Sequence, residues 1–149
     1  MRKVVLFAAA CALLAACGNG KTAGNADGVD SLDSVAVDSA VYTGVTPAAD
    51  CFGIRYRVAL AQDSTNGFSL SEEYLKSENE VDTAFTYSGT AKVMESQDKS
   101  GKTYYVLRTG KGNEAYNFLQ LNDSTLRMVN AELKEAVTGA ENYDLKLQK

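Results

Sequence analysis

The sequence predicts an all-β domain: a small antiparallel barrel, closed or nearly so, of seven or eight strands. Three observations carry this. From Tyr42 onward, apolar residues recur at every second position, the spacing of strands with one buried and one wet face. Short clusters of Asp, Asn, Ser and Gly interrupt that alternation. No long helical pattern intervenes, and eight Tyr supply material for a core.

The elements follow in order. A first strand spans Val41 to Val45. Ile54, Tyr56, Val58 and Leu60 then alternate with Arg55, Arg57, Ala59 and Ala61. Residues 62–67 (QDSTNG) end that strand with an Asn-Gly pair suited to a tight hairpin. Phe68, Leu70 and Tyr74 resume the alternation. A polar loop around Lys76 to Asp82 precedes Phe85, Tyr87, Gly89, Ala91 and Val93, which read as one strand. Turns at 97–102 and 109–113 flank Thr103 to Arg108 (TYYVLR), rich in strand formers. Tyr116–Leu121 and Leu126–Val129 flank a short loop, and Asn142–Gln148 closes the domain. Ala131–Thr138 fits a two-turn helix, with Asn130 as N-cap and Gly139 just past its end, or a hairpin equally well. An eight-stranded barrel is just filled by side chains or holds one small ligand.

Composition bounds the function. A chain of 149 residues allows one domain with an appended segment. The balance of 15 basic against 19 acidic residues leaves no excess for a nucleic-acid face. Histidine is absent, which excludes Ser-His-Asp and Cys-His chemistry, His-ligated zinc and a histidine pH switch. No nucleophile–base pair is visible, so no enzyme is expected and no catalytic residue is assigned.

The N-terminus is a targeting segment. Arg2 and Lys3 precede an apolar run from Val4 to Ala16. As a helix this run reaches about 20 Å, short of the roughly 30 Å hydrocarbon core, so it reads as a secretory signal. It ends Leu14-Ala15-Ala16-Cys17, which resembles the bacterial lipoprotein signal. That resemblance implies cleavage after residue 16 and lipidation of Cys17, with more than one acyl chain and hence stable anchoring. Removing Arg2 and Lys3 with the signal leaves 13 basic against 19 acidic residues, net −6. Cys11 leaves with the signal and Cys17 is alkylated, so Cys51 is the one free thiol and no internal disulfide is expected. Residues 17–41 are Gly-, Asn-, Asp-, Ser- and Ala-rich, without an aromatic, and read as a flexible tether averaging about 25 Å. The alternative is an edge strand through Val35, Val37 and Val41. The barrel domain is then 42–149.

The segment Tyr42-Thr43-Gly44-Val45-Thr46-Pro47-Ala48-Ala49-Asp50-Cys51-Phe52-Gly53-Ile54 resembles the opening of the N-terminal domain of NlpE copper-resistance lipoproteins. Their pattern there is Y-x-G-x-x-P-C-A-D-C-x-G-I. Tyr87-Ser88-Gly89-Thr90 and Asn142-Tyr143-Asp144-Leu145 are similar to later family elements, so the resemblance spans about residues 42–147. It implies a lipocalin-like barrel on a lipid-anchored outer-membrane protein, linked to copper tolerance, surface sensing and envelope stress. Gly18 after the lipidated cysteine, rather than Asp, fits outer-membrane sorting; without an acidic stretch behind it, the periplasmic face is expected.

The family's cysteine pair is broken here, because Ala48 replaces its first member. Cu(I) prefers soft thiolate and thioether ligands. Cys51 alone is a weak metal candidate, with Met94 and Met128 as remote helpers that read better as core filler. No cofactor is therefore assigned, although copper is what the family implies. Glu72-Glu73 and Glu78 with Glu80 read as solvated acidic pairs. Arg55 and Arg57 read as paired with nearby acids or solvated, and Gly110-Lys111-Gly112 as a plain turn. Two roles remain: sensing or scaffolding through contacts with envelope proteins, or carriage of a small apolar ligand inside the barrel.

Overall fold

The computed structural model describes residues 38–98 and 100–149. The alternation resolves into nine antiparallel strands. They are β1 Ser39–Thr46, β2 Gly53–Ala61, β3 Gly67–Ser77, β4 Glu80–Thr90, β5 Lys92–Glu95, β6 Thr103–Arg108, β7 Ala115–Asn122, β8 Thr125–Val129 and β9 Asp144–Leu147. A single turn of 3-10 helix, Ala140–Tyr143, leads into β9. The all-β class is as predicted; the strands number nine among the described residues rather than seven or eight. β1 begins at Ser39, inside the segment read as tether. Val41 lies within it, between β2 and β9, so it is not on an edge. Val35, Val37, Cys17 and the signal lie outside the described residues.

One sheet runs in the order β4-β3-β2-β1-β9-β8-β7-β6-β5. Chain neighbours pair except β4 with β5, and β1 also pairs with β9, setting Tyr42 opposite Leu147. The two edge strands, β4 and β5, are consecutive in the chain and joined through Ala91 alone. The sheet must therefore curl until its edges nearly meet. A Cβ on Gly89 of β4 would lie 4.0 Å from the Arg108 carbonyl of β6. Among the described residues no ladder joins β4 to β6, and side chains bridge that seam. The stretch from Phe85 to Val93, read as one strand, is thus two. Its period-two pattern carries straight across the corner at Ala91, because inward parity is kept while the hydrogen-bonding partner changes.

The inward positions fill the barrel. Val58, Phe68, Leu70, Leu107, Phe118, Leu126 and Leu145 are completely buried and form one cluster with Tyr42 and Tyr56. Each such side chain contributes roughly 1.5–3 kcal/mol by leaving water. The Tyr42 hydroxyl donates to the Asp123 carbonyl at 3.2 Å, tying β1 to the β7–β8 turn. Two residues on, Gly44 meets β9: a Cβ there would sit 2.5 Å from the Asp144 carbonyl oxygen and 3.1 Å from the Leu145 Cα. Gly44→Ala is expected to cost about 1–3 kcal/mol, since backbone rather than a flexible side chain blocks the added methyl. Urea denaturation reads this directly, and an unchanged midpoint would show that β9 shifts freely.

Residues 131–138 form neither helix nor hairpin strand. The Asn130 side chain does cap, accepting from the amides of Glu132 and Lys134, both at 2.9 Å. Leu133 then turns left-handed at φ 61°, so no helix follows the cap. Gly139, placed just past the end of a helix by the sequence, instead starts the 3-10 turn at φ 62°. Arg127 holds the irregular segment down. Its guanidinium grips Asp144 through two bonds of 2.6 and 3.0 Å and Glu135 through one of 2.8 Å.

Candidate functional site

The segment that carries the family resemblance forms the loop between β1 and β2 at one mouth of the barrel. Pro47, which has no N–H to offer a ladder, follows the last residue of β1. The Phe52 amide donates to the Leu75 carbonyl at 2.9 Å, so the loop leans on the end of β3. The Cys51 thiol donates to the Gly53 carbonyl at 3.2 Å. Together with the ends of β2, β3 and β4, the loop walls a cavity of about 550 Å³. Ala48, Asp50 and Cys51 line it from the loop, and Ile54, Tyr74 and Phe85 from the strands. Tyr74 and Phe85 meet edge to face, with ring centroids 6.1 Å apart at 88°.

Tyr74 connects this cavity to a buried polar cluster. Glu72 is 5% exposed, on the same inward parity of β3 as Phe68 and Leu70. One carboxylate oxygen accepts from the Tyr56 hydroxyl at 3.1 Å and the Tyr74 hydroxyl at 3.2 Å. The other accepts from the Tyr116 hydroxyl at 2.6 Å. Among the described residues no cation pairs with Glu72, and the three phenols stand in for one. Tyr116 stacks obliquely against both Tyr56 and Tyr87, each at 5.9 Å, so the cluster spans the seam between β4 and the β6–β7 half. The reading of Glu72 as a solvated acid is therefore corrected: it is a core carboxylate. Its signal was available, since residues 68, 70, 72 and 74 share one parity, but Tyr116 lies 44 residues away and no local pattern points to it.

The phenols respond to this setting. Burial, and then the Glu72 charge, push the Tyr56 and Tyr116 hydroxyls far above the ordinary tyrosine value of 10.0. Tyr74 moves the same way for the same reasons. The unfolded chain releases these protons above about pH 10 while the barrel retains them. Stability is thus full below that pH and falls as pH rises, by at most about 1.4 kcal/mol per pH unit for each buried phenol. Urea titrations at rising alkaline pH test this. The Tyr56→Phe/Tyr116→Phe double variant is expected to show the flatter slope, and an unchanged slope would refute the assignment.

The remaining candidates sort plainly. Glu73 faces outward and pairs with Arg55 at 2.9 Å, while the second Arg55 branch donates to the Glu78 carbonyl at 3.0 Å. Arg57 has no ion pair among the described residues, and Glu78 and Glu80 are exposed on the β3–β4 hairpin. That hairpin is shorter than the loop read from sequence, because β3 runs to Ser77 and β4 starts at Glu80. Gly110 and Gly112 make a left-handed turn at φ 76° and 63°. The turn aims Lys111 across the seam, 5.9 Å from the Phe85 ring and 5.7 Å from Tyr87. Met128 packs on the core, and Met94 pairs with Tyr104 on β6, so neither joins Cys51 at the cavity. Among the described residues no group of three His, Cys, Asp or Glu is placed to hold a metal.

The profile described as NlpE N-terminal domain matches residues 42–139, from the loop-forming motif to the glycine before the 3-10 turn. The chain belongs to the NlpE N-terminal domain family. A crystal structure of a protein from Shewanella oneidensis, described as a candidate lipoprotein, superposes with a TM-score of 0.52 at 27% identity. The superposition covers 79% of this chain and 94% of that one. Comparison with curated proteins yields no match. In this NlpE domain the motif's residues divide their work: Tyr42 fills the core, Gly44 admits β9, and the loop through Cys51 builds the mouth.

Proposed function

We propose that this NlpE-type protein is a non-catalytic envelope lipoprotein, anchored through Cys17, that senses or scaffolds by protein contact in copper and envelope-stress homeostasis. The expected seat is the periplasmic face of the outer membrane. Membership of the family and the description of the Shewanella relative support the anchored, envelope setting. The observation that carries protein contact is the distribution of apolar surface. The interior is filled, yet Val45, Phe52, Val81 and Phe85 stay exposed around one mouth, Phe52 by 61%. Phe52 bonds to Leu75, Leu75 pairs with Val81, and Phe85 walls the adjoining cavity, so these side chains form one rim. Rimmed apolar patches mark interaction sites.

A photo-crosslinking residue at position 52, in the lipidated protein in intact envelopes, tests this. Discrete protein adducts are expected there and not from position 137, which is more exposed but remote from the rim. Adducts from both or neither would overturn the reading. Cys17→Ser is expected to move the protein from the detergent phase to the aqueous phase without changing its melting temperature.

A second reading, small-ligand binding, is favoured by the cavity of about 550 Å³, a size ordinary for ligand pockets. The filled core moves that ligand from the barrel's interior to its mouth.

A further inference from the structure

We infer that the mouth cavity takes a small organic ammonium ion, alkylated enough to lie against aromatic rings. The inference rests on the second reading above, that the cavity holds a small molecule, and it adds the charge of the guest. Three features of the wall point the same way. Tyr74 and Phe85 both line the cavity and meet edge to face, so the wall offers a cation an aromatic π surface. Tyr74 donates its hydroxyl proton toward the Glu72 carboxylate, which leaves its ring electron-rich.

Second, the charged side chains lining the cavity are carboxylates, Asp50 and Asp82, and none is Lys or Arg. Lys76 reaches Asp82 at 3.1 Å from outside the lining and shares that carboxylate. Asp50 has no ion pair among the described residues. An anionic guest would meet no cation among the lining residues, and a neutral guest would gain nothing from the two acids.

Third, the protein already places an ammonium against this aromatic wall. The Lys111 amine stands over Phe85, which lines the cavity, and over Tyr87, which does not, within cation–π range of both rings. A hard metal ion fits less well, since aromatic carbon replaces the third oxygen or sulfur donor that it would need. A methylated or otherwise alkylated ammonium loses little water on transfer and keeps its charge, so it suits both the rings and the acids.

Choline and its neutral isostere 3,3-dimethylbutan-1-ol separate charge from shape. Calorimetric titration of the full-length protein in nonionic detergent is expected to show choline binding at least about tenfold tighter than the isostere. Phe85→Leu and Asp82→Asn lie on the exposed rim, and each is expected to weaken choline severalfold while leaving the isostere unchanged. Circular dichroism confirms that both variants keep the barrel. Equal binding of the two probes would overturn the ammonium inference and leave a small-molecule site standing. No saturable binding of either probe at millimolar concentration would overturn both. Loss of preference in neither variant would place the choline elsewhere and also refute the assignment.

Discussion

Glu72→Ala is expected to destabilise the barrel by about 3 kcal/mol or more, the largest loss from any single outward-to-inward polar position. The carboxylate accepts three phenol hydroxyls, and each hydrogen bond to a charged group is worth about 1.5–3 kcal/mol. Burying the charge offsets part of this, so the net figure is smaller than the sum. Truncation leaves the Tyr56 hydroxyl buried with no acceptor and the Tyr116 hydroxyl facing a void between the two halves of the sheet. Glu72→Gln keeps one good acceptor oxygen and is expected to cost about half as much. The decisive comparison is the quadruple variant Glu72→Leu/Tyr56→Phe/Tyr74→Phe/Tyr116→Phe. Removing all three donors and the acceptor together leaves no orphaned group, so much of the loss should return. Urea denaturation at neutral pH measures all three. A loss under about 1 kcal/mol for Glu72→Ala would mean that water enters and satisfies the phenols.

The fold was legible where local chemistry decided it. Alternation located the strands, except that it ran β4 and β5 together, and turn residues located most hairpins; Asn66, at φ 52°, turns left-handed just before Gly67 opens β3. What stayed hidden was set at long range. Alternation reports which face is buried but not which strand lies beside it. It therefore missed the partner change at Ala91 and the pairing of β1 with β9. At Asn130 the helix-start signal was real, but Leu133 and the grip of Arg127 on Glu135 won over it. For the site, the motif pointed to the right loop. The expectation that adjacent glutamates are wet outweighed the parity that put Glu72 inside and Glu73 outside. The three phenols that make its burial tolerable come from β2, β3 and β7, and only the curled sheet brings them together.

Restoring the family's cysteine pair is expected to raise Cu(I) affinity by several orders of magnitude. The native protein is expected to bind Cu(I) no better than micromolar. It offers the Cys51 thiol, no imidazole, and no thioether at the mouth, since Met128 is taken up by the core and Met94 by the opposite edge of the sheet. Ala48 and Cys51 line the same cavity from one short loop, so Ala48→Cys sets a second thiol facing the same space without disturbing a strand. Two thiolates are soft ligands matched to Cu(I), and because one loop carries both, the second binds at little further entropic cost. Competition against a calibrated Cu(I) chelator decides the matter for both proteins. A native protein that already competes at picomolar free copper would show that Cys51 recruits other donors, with Met94 and Met128 the first to replace. A variant no tighter than the native protein would show that the loop holds the two side chains too far apart to share one ion.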